Sequence, residues 1–272
     1  MVYTLYSGTV SDVYELADRL DIYLEHMGWS RWYTLSSGLD TRDRVYFNNY
    51  GTVSGTYNPV YARFNANNSI LYNYAYTYYS PAGSPTTGQM GGDQYSSNYG
   101  LLQGSCKFWF IGDKDVVWIV ANNTVSGTFY SSSIGLIDTY YDKSIDSYPV
   151  CVVGQYNTSH DFLSSRAKMY NYVGTPAFYH AENCSNLLKN ASKQSRDSSY
   201  FGMPIVLVND TVGQHEIRGE LKGIRQVYGS DFTSGDILYI NNTSISGTYL
   251  VIKHDDSTKT YAYGPYINIG EF

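Results

Sequence analysis

In the 272-residue sequence, groups able to move a proton or hold a cation stand side by side in Asp113-Lys114-Asp115, His160-Asp161 and His254-Asp255-Asp256, among others. Neighbours on a strand point to opposite faces, so adjacency alone makes no relay of either histidine pair, and both read as cap or turn residues. Asp113-Lys114-Asp115 begins like a calcium loop but lacks the further ligands and the terminal Glu, which makes it a hairpin turn. His26, His180 and His215 are scattered. No GxSxG elbow, HExxH pair or phosphate-binding Gly-rich loop occurs. Cys106, Cys151 and Cys184 are odd in number, widely spaced and form no CxxC, so they read as free, buried or half-buried thiols rather than a disulfide or zinc framework. Carboxylate pairs of the kind that hydrolyse glycosides meet only in a fold, and nothing singles one out here. The expectation is a non-enzyme with no catalytic residue, cofactor or metal.

The residues that stand out are aromatic. The chain holds 31 tyrosines; aromatics make up 17% of it and charged residues only 15%, against about 25% in typical domains. Tyrosine offers a large apolar face and one hydroxyl at low entropic cost, and a surface poor in Lys and Glu is easier to desolvate on assembly. A Tyr-rich sheet encoded by AT-rich codons is the alternative source of this composition. Tyr72, Tyr74, Tyr76 and Tyr78 recur with a period of two, which puts them on one strand face as an aromatic strip. That strip is either a cross-strand ladder or, together with Trp29 and Trp32, an interface for stacking or subunit docking. The net charge of −6 and the absence of any basic cluster argue against nucleic acid. No apolar run approaches the roughly 20 residues that a membrane-spanning helix needs. Met1-Val2-Tyr3 opens no basic and apolar leader, so synthesis in a cytoplasm is expected.

The elements that position these residues read as mainly β with a few helices: antiparallel sheets or a sandwich, with one N-terminal amphipathic helix packed on the sheet. Val13, Leu16, Leu20, Leu24 and Met27 share a helical face, Ser11 and Asp12 supply a cap and a first-turn acid, and Gly28 ends the helix, which spans about 11–27. Strands are expected at 44–47, 60–64 and 69–79. A hairpin is expected from 107–111 and 116–121 around the Asp-Gly turn, bringing Trp109 and Trp118 together. Strand pieces follow at 128–130 and 134–138, an extended segment at 148–154 and a second helix at about 160–170. Further strands are expected at 204–208, 217–224 and 237–240, with a closing hairpin from 247–253 and 260–263. Residues 80–104 read as a long polar loop, an arm that could order on a neighbour. Three related stretches, Thr52-Val53-Ser54-Gly55, Thr124-Val125-Ser126-Gly127 and Ser244-Ile245-Ser246-Gly247, read as one kind of turn feeding a strand. A boundary near 155 separates an aromatic β-rich part, 1–155, from a smaller α+β or β part, 156–272.

The order of segments carries a resemblance. Met27-Gly28-Trp29 ends the first helix. Phe108-Trp109-Phe110-Ile111 and Val116-Val117-Trp118-Ile119-Val120 form the strand pair, and Gly135-Leu136-Ile137 and Tyr148-Pro149-Val150 follow. Arg218-Gly219-Glu220-Leu221-Lys222-Gly223-Ile224, Gly235-Asp236-Ile237-Leu238-Tyr239-Ile240 and Tyr249-Leu250-Val251-Ile252 close the succession. Most of the chain in this way resembles a diffuse group of tailed-bacteriophage virion structural proteins, from which it departs by its Tyr, Asn and Ser enrichment and by insertions near 80–104 and 181–200. The resemblance implies a non-enzymatic subunit of the tail, neck or baseplate that assembles with itself and with other virion proteins, and is located in the virion. The alternatives are a host-receptor or glycan-binding module on the particle, a capsid-associated decoration protein and a virion-borne hydrolase.

Overall fold

The computed structural model describes residues 2–35, 41–48, 60–67, 70–76, 78–79, 85–87, 90–91, 104–127, 129–142, 144–154, 167–170, 176–183, 202, 204–211, 214–227, 232–240, 246–253 and 260–268. The chain is mainly β, with largely antiparallel sheets and, among the described residues, one α-helix. Strand β1 (Tyr3–Val10) leads into helix α1 (Val13–His26). Asp12, rather than Ser11, is the cap: its carboxylate accepts from the backbone N–H groups of Tyr14 and Glu15, at 2.9 and 2.8 Å. Glu15 is the first-turn acid, and its carboxylate accepts from the Ser11 N–H and hydroxyl, which lowers its pKa. Gly28, at φ +87°, turns the chain out of the helix.

Next come β2 (Ser30–Leu35), β3 (Thr41–Asn48), β4 (Val60–Asn67) and β5 (Ile70–Tyr76), four consecutive antiparallel neighbours. The expected single strand over 69–79 is broken. Tyr78 and Tyr79 form β6 (Tyr78–Tyr79), which pairs with β7 (Pro85–Thr87) in a separate two-stranded sheet. β8 (Met90–Gly91) pairs with β5. The stretch read as a bare loop over 80–104 thus contains two short strands.

The hairpin of β9 (Cys106–Gly112) and β10 (Val116–Asn123) forms as expected. Trp109 lies opposite Val120 and Trp118 opposite Ile111, so the two indoles are diagonal neighbours in one buried cluster. The two pieces expected at 128–130 and 134–138 are one strand, β11 (Phe129–Thr139). β12 (Val150–Gly154), β13 (Ala167–Tyr170) and β14 (Pro176–Asn183) follow. The expected helix over 160–170 is corrected at its end, where Ala167–Tyr170 runs as a strand between two partners; residues 155–166 lie outside those described. Then come β15 (Ile205–Thr211), β16 (Gln214–Leu221), β17 (Ile224–Val227), β18 (Ile237–Ile240), β19 (Gly247–Lys253), β20 (Thr260–Tyr263) and β21 (Tyr266–Asn268). The recurring turn does feed a strand twice, at Gly127 before β11 and at Gly247 opening β19, both with positive φ; Gly55 lies outside the described residues.

Pairing makes a closed figure. β11 pairs with β12, then β12 with β13, β13 with β14, β14 with β15, β15 with β16, and β16 returns to β11. This ring of antiparallel strands is a small barrel, drawn from both sides of residue 155. From the opening half of β11, β10, β9 and β1 extend as an open wing, with β21 parallel to β1 at the far edge. One face of the wing packs on α1 and on the inward residues of the β2–β5 sheet, among them Tyr46, Phe64 and Leu71. The other face packs on the β17-β20-β19-β18 sheet through Leu250, Ile252, Tyr261 and Tyr263. That last sheet curls over its own cluster of Phe232, Leu238, Tyr249 and Val251. Burial on both faces is why β9 and β10 read as unbroken apolar runs.

Polar stitches cross the layers. The Asn73 amide donates to the Ser132 hydroxyl at 2.6 Å, tying β5 to β11 on one face. On the other face, Ser131 and the Tyr263 hydroxyl are 2.8 Å apart. The Tyr23 hydroxyl donates to the Thr4 carbonyl at 2.7 Å, holding α1 on β1.

Burial raises the pKa of Tyr3, Tyr23, Tyr46 and Tyr263, pushes Tyr249 up to about 12, and pushes the Cys106 thiol up to about 12. All are neutral acids in the fold, so the native state keeps protons that an unfolded chain releases. Their stabilisation is complete below about pH 9 and is lost as pH rises toward about 12. The urea midpoint should fall steadily over that range, with tyrosinate absorbance of the buried set appearing only with unfolding. A midpoint independent of alkaline pH would contradict this.

Candidate functional site

The aromatic face is built from cross-strand rows. Tyr72, Tyr74 and Tyr76 alternate along β5, and their rings stack with centroids 6.1 and 6.3 Å apart at interplanar angles of 25° and 18°. Register places Asn65 opposite Tyr72, Arg63 opposite Tyr74 and Tyr61 opposite Tyr76. One strand further on, Asp43 faces Asn65, Val45 faces Arg63 and Phe47 faces Tyr61. The Arg63 guanidinium lies 5.3 Å from the Tyr74 ring centroid and donates through Nε and Nη2 to the two Asp43 oxygens, at 2.8 and 2.5 Å. Arg63 is thereby fixed as a flat plate between the tyrosines, in a cation–π contact with one of them.

Trp32 joins this face through an irregularity. The β2–β3 ladder skips between Arg31 and Tyr33, leaving Trp32 as the extra residue of a bulge, and bulges re-aim side chains. Its indole packs against Phe47 at 5.9 Å and edge-on to Tyr61 at 5.5 Å, and those two rings are 5.1 Å apart. Trp32 is 45% exposed, the most exposed tryptophan among the described residues. Tyr61, Tyr72 and Tyr74 are half-buried, and Tyr76 is fully buried.

Of the residues singled out in the sequence, Trp32, Tyr72, Tyr74 and Tyr76 come to one face. Trp29 does not: it is buried and donates its indole N–H to the Asp113 carbonyl at 3.1 Å, a core position. Tyr78 belongs to the separate β6–β7 pair, and its ring lies outside the described residues. Phe47, Tyr61, Arg63 and Asp43 were missed. Their period of two in β3 and β4 was visible, but only the pairing register shows that they face the tyrosines.

Underneath, the sheet is locked to the helix by charge. Asp21 on α1 accepts from Arg31 at 2.6 Å and from the Tyr46 hydroxyl, with Arg44 Nε at 3.7 Å. Asp113 Oδ1 accepts from the Asp115 and Val116 N–H groups at 2.7 and 3.0 Å, so Asp113-Lys114-Asp115 is a hydrogen-bonded turn, and burial raises the Asp113 pKa. His160-Asp161 and His254-Asp255-Asp256 lie outside the described residues. Cys106 and Cys151 are free and buried; Cys184 is outside the described residues. Among the described residues no three His, Cys, Asp or Glu side chains stand together as metal ligands, and no helix is long and apolar enough to cross a membrane.

A second polar feature is wholly buried. Arg218 on β16 donates Nε and Nη2 to Asp146 at 2.8 and 2.6 Å and Nη2 to the Tyr148 carbonyl at 3.1 Å, and the Thr139 hydroxyl donates to Asp146 at 2.9 Å. Both charged side chains have 0% exposure. The pair fastens the β11–β12 connection against the barrel. No protein-family model matches the chain, and no curated protein matches it.

Removing one partner leaves a buried charge without compensation. Asp146→Ala should lower unfolding stability by about 3–5 kcal/mol, measured by urea denaturation. Asp146→Ala together with Arg218→Met should recover part of that loss, and a single variant within error of the parent would show that the pair is not holding the connection.

Proposed function

We propose that this chain is a non-enzymatic structural subunit of a tailed-phage virion, in the tail, neck or baseplate, assembling with itself and with neighbouring virion proteins. The order of sequence segments supports the placement in a particle. The observation that carries the assembly role is the Trp32–Phe47–Tyr61 corner: a rigid aromatic cluster, partly exposed, beside an arginine that is already paired. Large amphipathic rings held in fixed rotamers lose little entropy on docking, and tryptophan and tyrosine are the residues that most often dominate interface energies. The low charge content lowers the cost of desolvating such a surface.

A second reading is favoured by one observation. Asp43, Asn65 and Arg63 share the face with Tyr72 and Tyr74, so planar polar groups lie beside aromatic plates. Sugars offer an apolar ring face and hydroxyls to such a surface, which is the reading of a glycan-binding module on the particle.

One variant addresses both. Purified particles should contain the chain, and Trp32→Ala should reduce its incorporation at least about tenfold while its melting temperature stays close to the parent's. Cryo-electron microscopy of the particle should place Trp32 against a neighbour. Particles that lack the chain would overturn the virion reading. Normal incorporation with loss of binding on a glycan array would transfer the role of Trp32 to sugar recognition.

A further inference from the structure

We propose that β18 is a self-association edge, along which two copies of this chain join their C-terminal sheets by antiparallel pairing of β18 with itself. Among the described residues β18 has a strand on one side only, since it ends the β17-β20-β19-β18 sheet. Its burial alternates. Leu238 and Ile240 enter the cluster with Tyr249 and Val251, whereas Ile237 and Tyr239 are 56% and 58% exposed. Being two residues apart on one strand, the exposed pair stands side by side on one face, and the buried pair fixes the strand's register. The backbone carries the same alternation. The Val251 N–H donates to the Asp236 carbonyl at 2.8 Å, so Asp236 is turned toward β19. Successive residues of a strand point their N–H and C=O groups to alternate sides. Leu238 and Ile240 therefore also bond toward β19, and Ile237 and Tyr239 present theirs to the open edge.

The same two residues thus supply the exposed side chains and the edge backbone groups, and this selects the partner. A row of backbone donors and acceptors takes an extended strand. With a two-fold axis at Leu238, Ile237 of each copy lies opposite Tyr239 of the other, and each such pair exchanges both N–H···O bonds. Cross-strand partners share a face, so the exposed residues meet as aromatic against β-branched, a favourable pairing in sheets. Leu238 then carries the buried face on from one copy to the next. A register shifted by one residue would oppose Ile237 to Ile240, whose backbone groups serve β19, so the parity is fixed. Charge also favours a second copy. Neither β18 nor residues 247–250 opposite it hold a charge, and β18 lacks the lysine or proline that guards an edge. The other edge of the sheet, β17, carries Arg225, paired with Glu220. A charged strand would find no counter-charge along β18. Asp236, which flanks β18 and accepts from the Thr233 N–H at 2.7 Å, falls opposite Ile240 in this register. The two copies of Asp236 are then about 14 Å apart along the strands, outside the roughly 10 Å reach of exposed charges at 0.1 M salt. Lys253, at the far end of β19, lies beyond the β18 register.

The proposal gives an edge to the self-assembly named above and rests on that reading only in taking a second copy as the partner. Two four-residue strands make a small contact, so the isolated chain associates weakly. It is tested on the full chain in solution. Sedimentation equilibrium should show a dimer at concentrations on the order of 100 micromolar. Over the same range the Ile237 and Tyr239 amides should become protected from hydrogen exchange, while the Leu238 amide, bonded to β19, stays protected throughout. Tyr239→Pro removes an N–H that faces the edge and no ladder bond to β19, and should raise the dissociation constant at least about tenfold. Where that variant unfolds, Ile237→Lys and the exchange of the parent's two amides read the same contact. A parent that stays monomeric, a dimer whose Ile237 and Tyr239 amides exchange alike at all concentrations, or a dimer that survives folded Tyr239→Pro would each overturn it. A β18 dimer from a chain absent from particles would leave this inference standing and remove the virion reading.

Discussion

Strand β11 has to satisfy three neighbours with one backbone. Over residues 129–135 it pairs with β10, over 132–136 with β12, and over 137–139 with β16, which takes the edge where β10 ends. Barrel and wing are joined only because this strand outruns each partner. The crossing is crowded: a Cβ on Gly135, at φ +153°, would lie 2.4 Å from the Asp115 carbonyl oxygen, so the position excludes any side chain. Ser131, Ser132 and Ser133 are all but fully buried, and two of them hydrogen-bond to opposite layers. Small polar residues here let the sheets approach closely while leaving no hydroxyl stranded.

Two charge pairs stiffen the periphery of this frame. Asp43 holds Arg63 among the aromatic rows, and Asp146 holds Arg218 against the β11–β12 connection. In both cases the charges are paired within the subunit. A protein with few charged residues to spare has placed several of them where they fix geometry. That division of labour suits a component whose contribution is shape and stickiness, as in the assembly role proposed here.

How legible this was from sequence depended on whether a strand's two faces differ. The helix, the β9–β10 hairpin and the β19–β20 hairpin were readable because period, turn residues and caps agree locally. β1 was not: Tyr3 and Leu5 enter one core while Tyr6 and Val10 enter the other, so no alternation survives. The serines of β11 fell in the gap between two expected strand pieces, because their partners, Asn73 and Tyr263, are remote in sequence. The tyrosine strip was foreseen as a face, and three of its rings do stack. The difference between Trp29 and Trp32 could not be foreseen. It turns on the chain reversal at Gly28 and on the register skip after Arg31, neither of which leaves a compositional mark.

The parallel pairing of β1 with β21 has a consequence for the order of events during synthesis. Tyr3 lies beside Tyr266 and Leu5 beside Asn268, so β1 receives its outer neighbour from residues made long after it. Its other edge waits for β9. On the ribosome, β1 therefore keeps one or both edges bare until β21 has been made, and an unpaired apolar edge invites association between nascent chains on the same message. Contacts this distant also close slowly, since the search must bring the ends of a long chain together. The wing thus stays open to misassembly until β21 arrives, and a cell making many copies at once would gain from any factor that shields β1 until then.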